Sequence, residues 1–190
     1  KNKKIILGSA SPRRQELLKS LGIDFEIRVS DLKEKYPKNL KEKEISEFLA
    51  TQKSEHLSKT LKGEDILITA DTIVVKGDRV LNKPKDKLEA KEMLEFLSGE
   101  EHLVITSVCL RDQQNQVVFS SVTKVFFKSL SAAEIDFYVK EYKPFDKAGA
   151  YGIQEWIGLV GIEKIEGSYF NVVGLPVIKL YQKLIQFVAL

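Results

Sequence analysis

Ile5-Ile6-Leu7-Gly8-Ser9-Ala10-Ser11-Pro12-Arg13-Arg14 runs from an apolar triplet into the start of a helix. The triplet predicts a buried strand. Ser11 suits an N-cap, Pro12 the first helical position and Gly22 the stop, so the spacing predicts a helix from Pro12 to Leu21. Strand, loop and helix are thus complete by Gly22. A serine cap with proline behind it begins many purely structural helices. Two arginines in the first turn are different, because each cation there opposes the helix dipole by roughly 0.3–1 kcal/mol. Arg13 and Arg14 together therefore point to an anion that completes the site, and a guanidinium fork matches phosphate oxygens.

Further along the chain the pattern alternates between strands and helices. A second helix is expected from about Lys41 to Leu61, with Ile45, Leu49, Lys53 and Leu57 on one face, which puts a lysine into an apolar stripe. Ile66 to Val75 is rich in β-formers, and Gly77-Asp78 turns it into Arg79-Val80-Leu81. Asp86 with Glu89 resembles a capping box for a helix to Leu97. Ser131 with Glu134 starts another, through about Tyr142. Strands are expected at His102 to Leu110 and Val117 to Leu130, and more short strands after the Gly-rich stretch Lys147 to Gly161. Pro176 to Val188 reads as a closing amphipathic helix with Leu180, Leu184 and Val188 on one side.

With 190 residues, 43% of them hydrophobic, the chain can bury one sizeable core, and a single domain of two lobes is expected. Thirty Lys+Arg against 27 Asp+Glu leave a net charge of +3, too balanced for a nucleic-acid-coating protein. Cys109 is the only cysteine, in an apolar Val108-Cys109-Leu110 context. That excludes an internal disulfide and a thiolate metal cluster, and fits a reducing cytoplasm. Lys1-Asn2-Lys3-Lys4 with its short apolar sequel is neither an export signal nor a membrane span.

Asp71, with Thr72 after it, interrupts the run Ile66 to Val75, where a buried carboxylate needs a metal, a lysine or several hydrogen bonds. Lys53, Lys83 and Lys147 each read singly as surface or snorkelling lysines. They gain meaning collectively. No G-x-x-x-x-G-K-[ST] motif occurs, so a triphosphate would have to be neutralised by scattered cations and a divalent ion. Glu34 and Glu42 offer metal-binding carboxylates within the charged segment Asp31 to Glu47, while His56 and His102 lack zinc spacing.

Ser9-Ala10-Ser11-Pro12-Arg13-Arg14, Ala70-Asp71-Thr72, Asn82-Lys83-Pro84, Asp146-Lys147-Ala148-Gly149-Ala150-Tyr151-Gly152-Ile153-Gln154 and Ile165-Glu166-Gly167-Ser168-Tyr169-Phe170-Asn171-Val172-Val173-Gly174-Leu175-Pro176 together resemble the Maf family nearly end to end. The resemblance implies an inosine-triphosphatase-like α/β fold, a long mixed twisted sheet flanked by helices, with the nucleotide in a cleft between two lobes. It also implies hydrolysis of dTTP or UTP, or of modified pyrimidine nucleotides, to monophosphate and pyrophosphate with Mg²⁺, Mn²⁺ or Co²⁺ as a divalent metal.

On the same resemblance Asp71 is the proton acceptor and, with Glu34, the metal ligand. Ser9, Arg13, Arg14, Lys53, Lys83 and Lys147 hold the substrate, and Arg13, Thr72 and Gln154 set base preference. A homodimer with no nucleic-acid or membrane partner is expected. The alternative is a triphosphate-binding regulator of septum formation with little catalysis. Three departures from the family pattern stand out: Ser107 for Gly, Lys143 before Pro144 for Glu, and Glu155-Trp156-Ile157-Gly158 for a stretch of shorter side chains.

Overall fold

The computed structural model describes residues 3–189, so Lys1 and Asn2 of the basic N-terminal stretch, and Leu190, lie outside the described residues. The chain runs β1 (Ile5–Leu7), α1 (Pro12–Ser20), β2 (Phe25–Ile27), α2 (Lys43–Ser58), β3 (Ile66–Lys76), β4 (Arg79–Leu81), α3 (Lys87–Leu97), β5 (Glu101–Arg111) and β6 (Gln116–Phe127). It continues with α4 (Ala132–Tyr142), a 3-10 turn at Ala148–Ala150, α5 (Trp156–Gly161), β7 (Ile162–Glu166), α6 (Tyr169–Val173) and α7 (Val177–Val188). The seven strands form one mixed sheet in the order β2-β1-β3-β5-β6-β7, with β4 paired to β3. β1 is parallel to both β2 and β3, whereas β4 runs antiparallel to β3 and β7 antiparallel to β6.

The chain divides into two compact units. Unit 1 takes the chain up to Asp71, Thr106–Ser121 and the chain from Gly174; unit 2 takes Thr72–Ile105 and Val122–Val173. Each has its own core. In unit 1, Leu7, Leu18, Ile66, Ile68, Val108 and Leu180 pack together, and in unit 2 Leu94, Leu97, Val104, Val125, Phe127 and Tyr138 do. Fully burying an aliphatic side chain of this kind stabilises by roughly 1.5–3 kcal/mol. Among the described residues no helix is long and apolar enough to cross a membrane.

Local chemistry explains where the elements begin. Ser11 caps α1 by accepting the Arg14 N–H, and Ser131 and Glu134 form a full capping box on α4. Asp86 caps α3, but the Glu89 carboxylate reaches the Lys85 N–H rather than that of the cap residue, so this box is only half built. Gly8 leaves β1 with no room for a side chain, because a Cβ there would come within 2.6 Å of Thr69 Cγ2.

Four expectations need correction. The second helix is shorter than the predicted Lys41 to Leu61, because Glu42 adopts φ 41° and stops it from starting earlier. The strand expected to reach Leu130 ends at Phe127. Among the described residues after Gly161, where several short strands were expected, only β7 is a strand. Trp156–Gly161 and Tyr169–Val173 are helical, since short apolar runs carry no period that separates helix from strand. On α7 the third buried position is Phe187, not Val188, which is 41% exposed. Seven residues from Leu180 bring a helical side chain back to within about 20° of it, whereas eight overshoot by about 80°.

Candidate active site

In unit 1 the residues of interest converge on Asp71. It lies on β3 and is 6% exposed, a strand-interior carboxylate in apolar company. Lys53, projecting from α2, supplies the required partner with Nζ 2.6 Å from Asp71 Oδ1 and 2.8 Å from Glu34 Oε1. This accounts for the lysine in the apolar stripe, which lies on the face of α2 that meets β3. Glu34 itself is exposed on the loop before α2. Burial pushes the Asp71 carboxyl above its ordinary value of 3.8, with the Lys53 ammonium pulling the other way. Burial lowers Arg14, with the nearby Asp71 charge opposing it. Partner attraction and desolvation thus act on one cluster in opposite senses, and for Asp71 desolvation prevails.

Of the two arginines in the first turn of α1, Arg14 reaches neighbouring segments. Arg14 donates from Nε to the Gly174 carbonyl at 2.8 Å and from NH1 to the Ala70 carbonyl at 3.0 Å and Ser9 Oγ at 3.4 Å. It therefore braces α1 against the middle of β3 and the entry to α7. Two of its guanidinium nitrogens are thus committed to backbone oxygens. Ser9 is buried, and its hydroxyl also accepts the Ser11 N–H at 3.2 Å. Glu42, considered as a metal ligand, lies exposed at the start of α2.

Ser107, one of the departures, has its hydroxyl 2.6 Å from Ser46 Oγ and 2.9 Å from Ser120 Oγ, and Ser120 donates to Glu47 at 2.6 Å. A glycine could not join that hydroxyl chain.

In unit 2 the Asn82 carbonyl accepts the Gly149 N–H at 3.3 Å, which sets the exposed Lys83 loop beside the 3-10 turn. Gly149 has φ +69° and a Cβ there would meet Val74 Cγ2 at 2.9 Å, so the position demands glycine twice over. Lys147 is 8% exposed, its Nζ 2.7 Å from Asp146 Oδ1 and 3.1 Å from Glu155 Oε1. Gln154 is exposed, and Thr72 is half-buried on β3.

Two residues that sequence reasoning gave no role, Tyr138 and Glu155, complete this cluster: the Tyr138 hydroxyl donates to Glu155 Oε2 and accepts the Gly152 N–H at 3.0 Å. The available signal was a tyrosine on the apolar face of α4, since a buried hydroxyl needs partners. Of the remaining departures, Lys143 closes α4 in the left-handed conformation at φ 47°, and Trp156 meets Phe137 edge to face at 4.8 Å.

Asp71 and Glu34 were also expected to hold a metal. Their oxygens already share one cation, the Lys53 ammonium, and both are the hard donors a divalent ion prefers. Among the described residues no three His, Cys, Asp or Glu side chains are grouped to hold a metal by themselves. A two-carboxylate site completed by phosphate oxygens and water fits that donor set.

A strand-borne carboxylate held by a lysine, beside a helix start bearing arginines, is the charged centre of this α/β protein's unit 1. Solved structures support the fold. The chain resembles the Ham1 protein of Staphylococcus aureus (TM-score 0.55, 16% identity, covering 97% of this chain and 98% of that one) and a HAM1 protein from Coxiella burnetii (TM-score 0.50, 15% identity, 97% and 100%).

Sequence comparison is more specific. The model of the Maf-like protein family matches residues 4–187, and the chain belongs to that family. It is 52% identical over 184 residues to the dTTP/UTP pyrophosphatase of Christiangramia forsetii, covering 97% of this chain and 94% of that one. It is 50% identical over 188 residues to the dTTP/UTP pyrophosphatase of Parabacteroides distasonis, covering 98% and 97%.

Proposed function

We propose that the protein is a nucleoside triphosphate pyrophosphatase that hydrolyses dTTP and UTP to the monophosphate and pyrophosphate, and so clears unwanted pyrimidine nucleotides, canonical or modified. The observation that carries the reading is the buried Asp71 carboxylate held at 2.6 Å by Lys53. The names of the half-identical relatives favour catalysis over simple triphosphate binding.

Asp71 orients a water for attack on the α-phosphorus and takes its proton. A carboxylate in water is a weak base, and burial raises its proton affinity toward the working range. Lys53 fixes that carboxylate and presents positive charge to the phosphates. Arg13, Arg14, Ser9 and the first turn of α1 meet developing phosphate charge from the helix start, and Arg14 also holds the turn in place. A divalent cation, Mg²⁺, Mn²⁺ or Co²⁺, would be held by Asp71 and Glu34 and would neutralise phosphate charge. Lys83 and Lys147 are further cations for the phosphates.

At an effective dielectric near 20, one cation about 4 Å from a phosphate charge is worth roughly 4 kcal/mol before desolvation is subtracted, so no single one carries binding. The Gln154 carboxamide offers a donor and an acceptor, matching the edge shared by uracil and thymine, and Thr72 and Arg13 shape the same preference.

The proposed setting is the cytoplasm, where the buried thiol of Cys109 would stay reduced, and the proposed assembly is a homodimer; the second rests on family resemblance alone. The test is a screen of nucleoside triphosphates with each metal in ¹⁸O-labelled water. Pyrophosphate release from dTTP and UTP with the label in the monophosphate is expected. Release of orthophosphate, or label in pyrophosphate, would contradict it.

A further inference from the structure

Lys147 has a part in the proposed reaction, and the contacts around it extend further. Its two carboxylate partners are not equivalent. The Asp146 side chain is 57% exposed and that of Glu155 19%, so water screens the first pair more than the second. The second oxygen of Glu155 is anchored by the Tyr138 hydroxyl, and that hydroxyl oxygen takes the Gly152 N–H. The carboxylate is thereby fixed at both ends. Gly152 completes the arrangement, since a Cβ there would lie 3.0 Å from both Gln154 Nε2 and Glu155 Cδ. The carboxamide and the carboxylate thus share the space over a backbone that carries no side chain.

From these contacts we propose that Glu155 is a positioning residue for the pyrophosphatase reaction: one carboxylate oxygen sets the Lys147 ammonium for the phosphates, and the other, through Tyr138, sets the Gly152–Gln154 turn for the base. The proposal rests on the functional reading above and adds a residue to it. Glu155 opens the stretch Glu155-Trp156-Ile157-Gly158, where the family pattern has shorter side chains. Burial and the Glu155 charge both hold the Tyr138 phenol in its protonated form, so it stays a donor throughout the neutral range.

The two arms can be separated by near-isosteric changes. Glu155→Gln keeps an acceptor for Tyr138 but removes the charge on Lys147. Tyr138→Phe removes both the donor to Glu155 and the acceptor of the Gly152 N–H. Pyrophosphate release from UTP, dTTP and GTP is measured over a range of concentrations for the parent and both variants, with thermal melting alongside.

Glu155→Gln is expected to lower kcat/KM about tenfold on all three nucleotides alike, because the phosphates are common to them. Tyr138→Phe is expected to lower the UTP-to-GTP ratio of kcat/KM about fivefold, because it loosens the turn that bears Gln154. A purely structural role would lower melting temperature while leaving KM and the base ratio unmoved. That result in both variants, or in whichever of them folds, overturns the proposal. Failure of the functional reading is seen separately, in a parent that releases no pyrophosphate from any of the three.

Discussion

Lys53 in unit 1 and Lys147 in unit 2 each hold two carboxylates, at 2.6 and 2.8 Å in one case and 2.7 and 3.1 Å in the other. What surrounds the carboxylates differs. In unit 1 the shielded partner is Asp71, set in a strand among apolar side chains, and desolvation raises its proton affinity in spite of the lysine. In unit 2 the shielded partner is Glu155, and a tyrosine hydroxyl fixes its second oxygen. The same pairing of charges therefore does two jobs. A carboxylate under desolvation strain is poised to take a proton, while one satisfied at both oxygens is an anchor.

The largest way to break that comparison is Asp71→Asn. It preserves shape and removes the base, so turnover of UTP should fall by about a hundred- to ten-thousand-fold, followed as pyrophosphate release, with the fold retained by circular dichroism. The anchor-side variants at Glu155 and Tyr138 should cost far less. Equal losses at Asp71 and Glu155 would erase the distinction between the units.

A second test uses another buried group of unit 2. His102 is 2% exposed, bonded through Nε2 to the Tyr151 hydroxyl at 2.7 Å, and burial holds it down from 6.5 to about 3. Its folded-state pKa lies below the unfolded value, so the unfolded chain binds the proton first as pH falls. Its contribution is present in full above pH 6.5 and is lost progressively toward pH 3. Stability should drop by roughly 1 kcal/mol per pH unit from this group alone between about pH 6 and pH 4, measured by urea unfolding, and His102→Gln should flatten that slope. An unchanged slope would mean that burial does not govern titration in unit 2 as it does at Asp71.

The smallest expected effect is on base choice. Gln154→Ala should reduce the preference for UTP over GTP by about tenfold while leaving inhibition by pyrophosphate nearly unchanged, because the exposed carboxamide reads the base and not the phosphates. Equal loss across all bases would make Gln154 structural.

The parts of the molecule that local chemistry determines were readable from sequence. The strand–cap–helix passage through Ser11 and Pro12, and the capping box of Ser131 and Glu134, stand as expected, because each is decided within four residues. Lys53 was visible as a charge in an apolar stripe. Asp71 was visible as a charge in a strand. Their union was not, since it depends on α2 packing over β3.

The three-residue strand β2 escaped notice because Phe25-Glu26-Ile27 is too short to show an alternation, and it exists only by pairing with β1. The Ala70 and Gly174 carbonyls that Arg14 meets lie 56 and 160 residues away in the chain, so no local pattern announces them. The Tyr138–Glu155–Gly152 contacts join residues up to 17 apart in sequence and have no local signature.

The central claim is that the buried acid on β3, with its proton affinity raised by desolvation, is the group that reacts. The pH dependence of kcat/KM for UTP tests it most directly. The expected profile has a one-proton acid limb with its midpoint above 3.8, the ordinary value for an aspartate, and that limb is missing from the residual activity of Asp71→Asn. A midpoint at or below 3.8, or the same limb in both proteins, would contradict the account.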